Sequence, residues 1–401
     1  MKIKRSGRKG NVNQKPIRDT YLPYGRQWID DDDIEAVVEV LKGDFLTTGP
    51  LVSTFEESIA TYVGAKYAVC FANGTAALHG ACFAAGITQG DEVITSPLTF
   101  AASANCILYQ GGIPVFADID EKTYNIDPKE IEKRITPKTK AIIPIDFTGQ
   151  PAYLDEINEL AKKHNLVVIE DAAHALGATY KGKKIGSISD MSMFSFHPVK
   201  HITTGEGGII TTNNKGYYEK LLQFRTHGIS RDPSKLINNH GPWYYEMQFL
   251  GFNYRLSDIQ AALGISQLQK IDQFIGRRKI YADMYDKSFR EIPQIITPYQ
   301  HSHGVSSWHL YIIQLDLAML SGSRLEIYEA LQGHNIGVNV HYLPVYLLPY
   351  YQELGYQQGH CPKAEQLYEK IITLPLFPAM TENDVDDVIQ AVKKIITFYS
   401  K

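Results

Sequence analysis

Between Asp31 and about Lys270 the chain alternates short apolar segments with helical patterns, and this alternation limits the possible folds more than any other feature. Strand candidates fall at 68–72, 92–95, 113–117, 141–145, 166–170, 191–196 and 208–212. Helical patterns at 75–85, 99–109 and 154–164 lie between several of them. Strands separated by helices pair side by side through crossovers, so the expectation is an α/β fold whose mainly parallel sheet is covered by helices. In such sheets ligands gather beyond the carboxyl ends of the strands.

Two charged residues stand at such ends. Lys200 lies in the run from Phe194 to Gly208, between the last two strand candidates, embedded in Gly and Thr. A lysine there is poorly placed as a solvated surface charge. Asp171 closes the run Leu166-Val-Val-Ile-Glu-Asp171, whose four leading apolar residues suit a strand buried on both faces. Pyridoxal phosphate needs a lysine for its internal Schiff base and a carboxylate that keeps the pyridine nitrogen protonated. Lys200 and Asp171 supply both, and they are the candidate catalytic residues.

A phosphate cradle is the third requirement. The segment Tyr67 to Gly80 reads as a short strand turning through Asn73 and Gly74 into an Ala-rich helix, with Thr75 as the expected cap. Unpaired amides at such a helix start attract an anion, and Gly74 permits close approach. Ser195 offers a hydroxyl to the same phosphate, and Phe100 is a candidate to stack on the pyridine face. Gly205-Glu-Gly-Gly208 is not a dinucleotide fingerprint, because it precedes a strand and lacks the strand-glycine-helix order.

The bulk properties narrow the class. With 401 residues, 44% hydrophobic and 21% charged content and a formal net charge of −4, the sequence describes a globular chain with no bias toward nucleic acid or anionic membrane. Four scattered cysteines, Cys70, Cys82, Cys106 and Cys361, suggest neither zinc nor disulfides and fit a reducing cytoplasm. No apolar run reaches membrane-span length, and the basic cluster at 1–10 lacks the apolar core of a secretion signal. That cluster belongs to an expected disordered tail over 1–20.

Beyond the sheet region, 257–289 reads as one long helix weakly interrupted near Gly276, leading from a large domain, 21–275, into a small α/β domain, 276–401. The small domain holds strand candidates at 309–315 and 337–342, a helix at 324–332, and a final amphipathic helix with Val385, Val388, Val392 and Ile396 on one face.

The motifs Asp44-Phe-Leu-Thr-Thr-Gly-Pro50, Asn73-Gly-Thr-Ala-Ala-Leu78, Glu170-Asp-Ala-Ala-His174, Ser195-Phe-His-Pro-Val-Lys200, Gly205-Glu-Gly-Gly208, Gly251-Phe-Asn-Tyr-Arg-Leu-Ser-Asp258 and His341-Tyr-Leu-Pro344 together resemble the DegT/DnrJ/EryC1/StrS family of pyridoxal phosphate-dependent nucleotide-sugar aminotransferases. The resemblance covers about 24 to the C-terminus. It implies the fold-type I aminotransferase architecture, with a seven-stranded sheet in the large domain, and a homodimer whose active sites lie at the subunit interface. Lys200 would be the Schiff-base lysine and Asp171 the partner of the pyridine nitrogen. Gly74, Thr75 and Ser195 would hold the phosphate, Phe100 the ring face and His174 the ring hydroxyl, while Asn253 would reach the phosphate in the neighbouring subunit.

Within the family, the opening Pro23-Tyr-Gly-Arg-Gln27 and the 44–50 motif are most similar to the pseudaminic acid branch, the UDP-4-amino-4,6-dideoxy-N-acetyl-β-L-altrosamine transaminases. Many relatives carry a His in the segment that here reads Ile145-Asp-Phe-Thr-Gly149, and the Asp146 form also suits that branch. The implied substrates are L-glutamate and a nucleotide-linked keto sugar. Substrate contacts would come from Tyr24, from Leu46, Thr47, Thr48 and Gly49, and from His341 and Tyr342; no metal, nucleic acid or membrane enters. Alternatives are a C3 or C4 aminotransferase for another nucleotide-linked keto-deoxy sugar, the family's sugar dehydratases, which carry His where Lys200 stands here, and a non-catalytic regulator.

Overall fold

Seven strands form the main sheet of the computed structural model, which describes residues 15–401; the basic cluster at 1–10 lies outside the described residues. In chain order they are β1 (Tyr67–Phe71), β2 (Glu92–Thr95), β3 (Ile113–Phe116), β4 (Thr139–Ile143), β5 (Val167–Asp171), β6 (Met191–Ser195) and β7 (Gly208–Thr212). Across the sheet they run β1-β7-β6-β5-β4-β2-β3. All pairings from β3 to β6 are parallel, whereas β7 lies antiparallel to both β1 and β6. This is the expected mainly parallel α/β sheet.

Residues such as Ile142, Val168, Ile169 and Ile209 are buried because helices cover both faces, which is why the strands read as unbroken apolar runs. One core layer packs α3 (Gly74–Ala84) and its neighbours on Val69, Ile143 and Ile210; the opposite layer packs α2 (Pro50–Val63) and the helix Leu154–His164 on Cys70, Ile142 and Val168. All four cysteines are buried and free.

The expected single helix over 257–289 is two helices, Asp258–Leu268 and Ile271–Phe289. The break falls at Gln269 and Lys270, not at Gly276, which stays helical. Its cause is a polar knot around Asp33 in α1 (Asp31–Lys42): Ser266 Oγ and Gln267 Nε2 each donate to Asp33 at 2.6 Å, and Lys270 Nζ pairs with it at 2.8 Å. Asp33 is fully buried, so these three donors and the Asp30 amide, 3.1 Å from Oδ2, converge to satisfy its charge.

A second sheet joins β8 (Ile295–Ile296), β9 (Tyr311–Leu315) and β10 (Ile371–Leu374), all antiparallel. The strand expected at 337–342 does not form. Only Asn339 bridges Thr373, and Gly337 N–H donates instead to Leu22 O at 2.7 Å. β10 occupies that neighbourhood, and its Ile-Ile-Thr-Leu run went unread in the sequence. The final helix, Glu382–Tyr399, buries Val385, Val388, Val392 and Ile396 as its pattern requires, and Thr381 with Asp384 forms its capping box. Leu22 packs in this C-terminal cluster, and Arg18 Nη1 pairs with Asp384 and Asp387 at 2.7 Å each, so the chain before α1 is fastened there. Among the described residues no helix is long and apolar enough to cross a membrane.

Candidate active site

Asp171, Ser195, Gly74 and the segment after β2 meet at the carboxyl edge of the sheet. Asp171 ends β5 and is buried. Its Oδ2 accepts from Ser103 Oγ at 2.6 Å, and its Oδ1 accepts from the Ala173 amide at 3.2 Å. Burial raises its pKa, while Ser103, the Ala173 amide and the charge of Lys200 pull it back. The carboxylate is therefore held between desolvation and donors, the balance a buried anion needs.

Lys200 lies in the turn after β6, its backbone amide bonded to His197 O at 2.9 Å. Its side chain retains some accessible surface, yet desolvation brings its pKa down to about 8; Asp171 opposes this and Arg278 adds to it. An ammonium so poised exchanges its proton near neutral pH.

The cradle at the start of α3 is capped by Asn73, not by Thr75 as expected. Asn73 has the extended backbone of a cap and its Oδ1 accepts from Ala76 N–H at 2.9 Å, whereas Thr75 already lies inside the first turn. Among the described residues, this leaves the amides of Gly74 and Thr75 as the open donors of that turn. A Cβ at Gly74 would stand 3.3 Å from Ser195 Cβ, so the glycine lets Ser195 close over the helix start. Ser195 Oγ accepts weakly from His197 N–H at 3.4 Å, which leaves its own proton for an anion.

Around Lys200 stand buried imidazoles. The rings of His174 and His309 are 4.3 Å apart, and those of His201 and His309 5.6 Å. Desolvation drives the pKa of His174 far down, helped by Lys200, His341 and His201, so the ring is neutral. His174 Nδ1 is buried without a partner among the described residues. His341 is pushed down to about 3 by burial and by Lys200; its Nδ1 lies 2.8 Å from Thr373 Oγ1 and its ring 5.3 Å from that of Tyr24. Tyr342 bridges the two groups, 4.7 Å from the His341 ring and 6.4 Å from that of His174.

Phe100 is 63% exposed, so it is not a core residue; its carbonyl accepts from Ser103 N–H at 3.3 Å, one step from Asp171. The other expected residues stand apart. Leu46 O accepts from the Asp258 amide at 3.1 Å and Gly49 N–H donates to Asp258 Oδ2 at 2.8 Å, fixing the loop that carries Thr47 and Thr48. A cavity of about 610 Å³ flanks this loop at Phe45 and Leu51, and Lys200 does not line it. Asn253 is exposed beside Thr226. Among the described residues, no hydrogen bond or ring contact joins it or the loop to Lys200, Asp171 or Ser195.

Ser103, Thr99 and Arg278 escaped the sequence reading. Arg278 is fully buried and donates through Nη1 to the carbonyls of Trp308, His309 and Leu376 at 3.3, 3.1 and 2.8 Å. Burial lowers its pKa to about 9, which still leaves it charged at neutral pH. Its position in the helix Ile271–Phe289 carried no signal beyond a polar residue in an amphipathic pattern.

Taken together, these groups suit pyridoxal phosphate. Amide donors and a hydroxyl sit where a phosphate needs them, a carboxylate is available for the pyridinium N–H, a primary amine for the aldehyde, and the orphaned His174 Nδ1 offers a partner for the ring hydroxyl.

Comparison with known proteins agrees. The model of the DegT/DnrJ/EryC1/StrS aminotransferase family matches residues 27–393. The spore coat polysaccharide biosynthesis protein SpsC of Bacillus subtilis is 45% identical over 381 residues, 94% of this chain and 98% of that protein. Among solved structures, Helicobacter pylori PseC, an aminotransferase involved in the biosynthesis of pseudoaminic acid, superposes with a TM-score of 0.88 at 34% identity, covering 95% of this chain and all 100% of the other. The PLP-form of Spr1654 from Streptococcus pneumoniae gives 0.87 at 32% identity, covering 94% and 99%.

Proposed function

The chain belongs to the DegT/DnrJ/EryC1/StrS aminotransferase family, and from that premise we propose that it moves an amino group from L-glutamate to the C4 keto carbon of a UDP-linked 4-keto-6-deoxy-N-acetylhexosamine, as in pseudaminic acid biosynthesis. That it is a pyridoxal phosphate-dependent sugar aminotransferase follows from the family and its solved members. The finer substrate rests on the likeness to PseC and on the opening and 44–50 motifs. The observation that carries the mechanism is Lys200, with its pKa near 8, set electrostatically against Asp171 at the carboxyl edge of the sheet.

In this reading pyridoxal phosphate, when bound, supplies an electron sink for negative charge developing at the donor's α-carbon. Lys200 Nζ takes and returns the proton, since a base is most effective when its pKa lies near the working pH. Asp171 would hold the ring N–H, His174 the ring hydroxyl and Phe100 one ring face. Gly74, Thr75 and Ser195 would hold the phosphate. Asn253 would reach the phosphate in the neighbouring subunit of a cytoplasmic homodimer. Tyr24, Leu46 to Gly49, His341 and Tyr342 contact the sugar nucleotide; for Tyr24, His341 and Tyr342 the support is their ring contacts with one another.

The 45% identity to SpsC favours a second reading, amination of a different nucleotide-linked keto-deoxy sugar destined for a surface polysaccharide. Incubation with L-glutamate and a panel of nucleotide-linked keto sugars, with the product identified by NMR, separates the two. A C3-aminated product, or preference for a keto sugar linked to a nucleotide other than UDP, removes the first. Lys200→Ala turning over at the parent rate removes both.

A further inference from the structure

We propose that Thr99 and Ser103 form a hydroxyl relay that keeps Asp171 ionised and fixed in orientation, making both of them positioning residues for cofactor anchoring; this rests on Asp171 being the anchor of the ring nitrogen. Ser103 Oγ lies 2.6 Å from Asp171 Oδ2 and 2.8 Å from Thr99 Oγ1, and all three residues are buried. A hydroxyl has one proton to give. An ionised carboxylate only accepts, so Ser103 donates to Asp171 and Thr99 donates to Ser103. The direction of both bonds follows from the charge at the end of the chain.

The relay comes from a different part of the sheet than its target. Ser103 sits in the first turn of α4 (Ala102–Tyr109), and Thr99 lies in the segment that β2 delivers, whereas Asp171 ends β5. With the Ala173 amide on Oδ1 and Ser103 on Oδ2, each carboxylate oxygen carries a donor and the group cannot turn. Burial works against its ionised form. Of the described titratable groups facing Asp171, Lys200 alone is cationic; Asp146 beside it, Cys106 on α4 and Tyr342 from the C-terminal part bring no positive charge. Ser103 is the strongest of the contacts that hold the negative form, and Thr99 strengthens it by polarising its hydroxyl.

The test is the affinity of the cofactor-free full-length protein for pyridoxal phosphate, titrated by absorbance across pH. Ser103→Ala moves the acidic midpoint of affinity upward by about one pH unit, the scale of one charge-assisted hydrogen bond. Thr99→Val moves it the same way by less, Thr99→Ser leaves it at the parent value, and Thr99→Val adds nothing once Ser103 is alanine. An unchanged midpoint in Ser103→Ala, or full additivity of the two substitutions, overturns the relay. If Ser103→Ala does not fold, the contrast between Thr99→Val and Thr99→Ser decides, and equal midpoints overturn it. Asp171→Asn separates this from the underlying reading: parental affinity and midpoint in that variant would remove the anchor itself, whereas a weakened Asp171→Asn beside an unshifted Ser103→Ala would remove only the relay.

Discussion

Asp146 and Glu170 are fully buried neighbours behind the candidate site, and Asp146→Asn tests how they coexist. Asp146 Oδ1 accepts from the Ala152 amide at 2.8 Å and Glu170 Oε2 accepts from Ser192 Oγ at 2.5 Å. The other two oxygens, Asp146 Oδ2 and Glu170 Oε1, have no donor among the described residues, which one proton shared between them would supply. Burial pushes the Asp146 carboxyl well up, and the Glu170 charge pushes it further, so the proton belongs to Asp146. A folded pKa above the unfolded value of about 4 means that this stabilisation is complete below that value and is lost as pH rises through the raised one. The amide introduced by the substitution carries a permanent N–H toward Glu170 and has no such proton to lose. One hydrogen bond to a charged acceptor contributes about 1.5–3 kcal/mol. Unfolding 401 residues carries an entropy of about 0.8 kcal/mol/K. The variant's Tm should therefore match the parent's at and below about pH 4 and gain on it as pH rises from there through the raised pKa, by about 2–4 °C in all, measured at fixed protein and saturating cofactor concentration. A constant offset across that range, or a variant that loses ground as pH rises, would refute proton sharing.

Three further outcomes follow from the site. In the cofactor-free protein, Lys200 should react half-maximally with an amine-specific reagent near about pH 8, read by peptide mass spectrometry, whereas an ordinary lysine does so near about 10.4; a midpoint at the ordinary value would show that the pocket does not tune it. Gly208→Ala places a Cβ 2.6 Å from the carbonyl carbon of Asn73, backbone against backbone, so β7 or the cradle must shift; an expected loss of about 1–3 kcal/mol, read by denaturation, should come with weaker pyridoxal phosphate binding, and unchanged binding would show that the strand alone gives way. Phe100→Ala removes an exposed ring and should leave stability within about 0.5 kcal/mol while lowering cofactor affinity severalfold; equal affinity would deny the stacking role.

Residues whose chemistry is unusual for their position were legible in the sequence. Lys200 and Asp171 stood out because a lone charge beside a buried strand needs a reason, and the strands themselves were visible as apolar runs: β2 and β7 fall where the pattern put them. Partners recruited across the sheet were not legible. Ser103 and Thr99 are ordinary hydroxyls until β2 and β5 are placed one strand apart, and Arg278 is an ordinary helix residue until the carbonyls of Trp308, His309 and Leu376 converge on it. The helix break at Lys270 failed for the same reason. A glycine is a local signal, but the break was made by Asp33, far away in sequence. Thr75 and Asn73 were both acceptable caps by type, and only backbone geometry chose between them.

The placement of β7 has a consequence for biosynthesis. Because it is inserted between β1 and β6, with Phe71 opposite Gly208, the first strand to be synthesised has no partner until residue 212 has emerged. A nascent chain leaving the ribosome can assemble β2 to β6 in order, yet it cannot close the sheet or seat the Lys200 turn, which connects β6 to β7, before that moment. Completion of the main sheet and placement of the Lys200 turn thus coincide in a single docking event, and no chain shorter than that can present the turn in its final position.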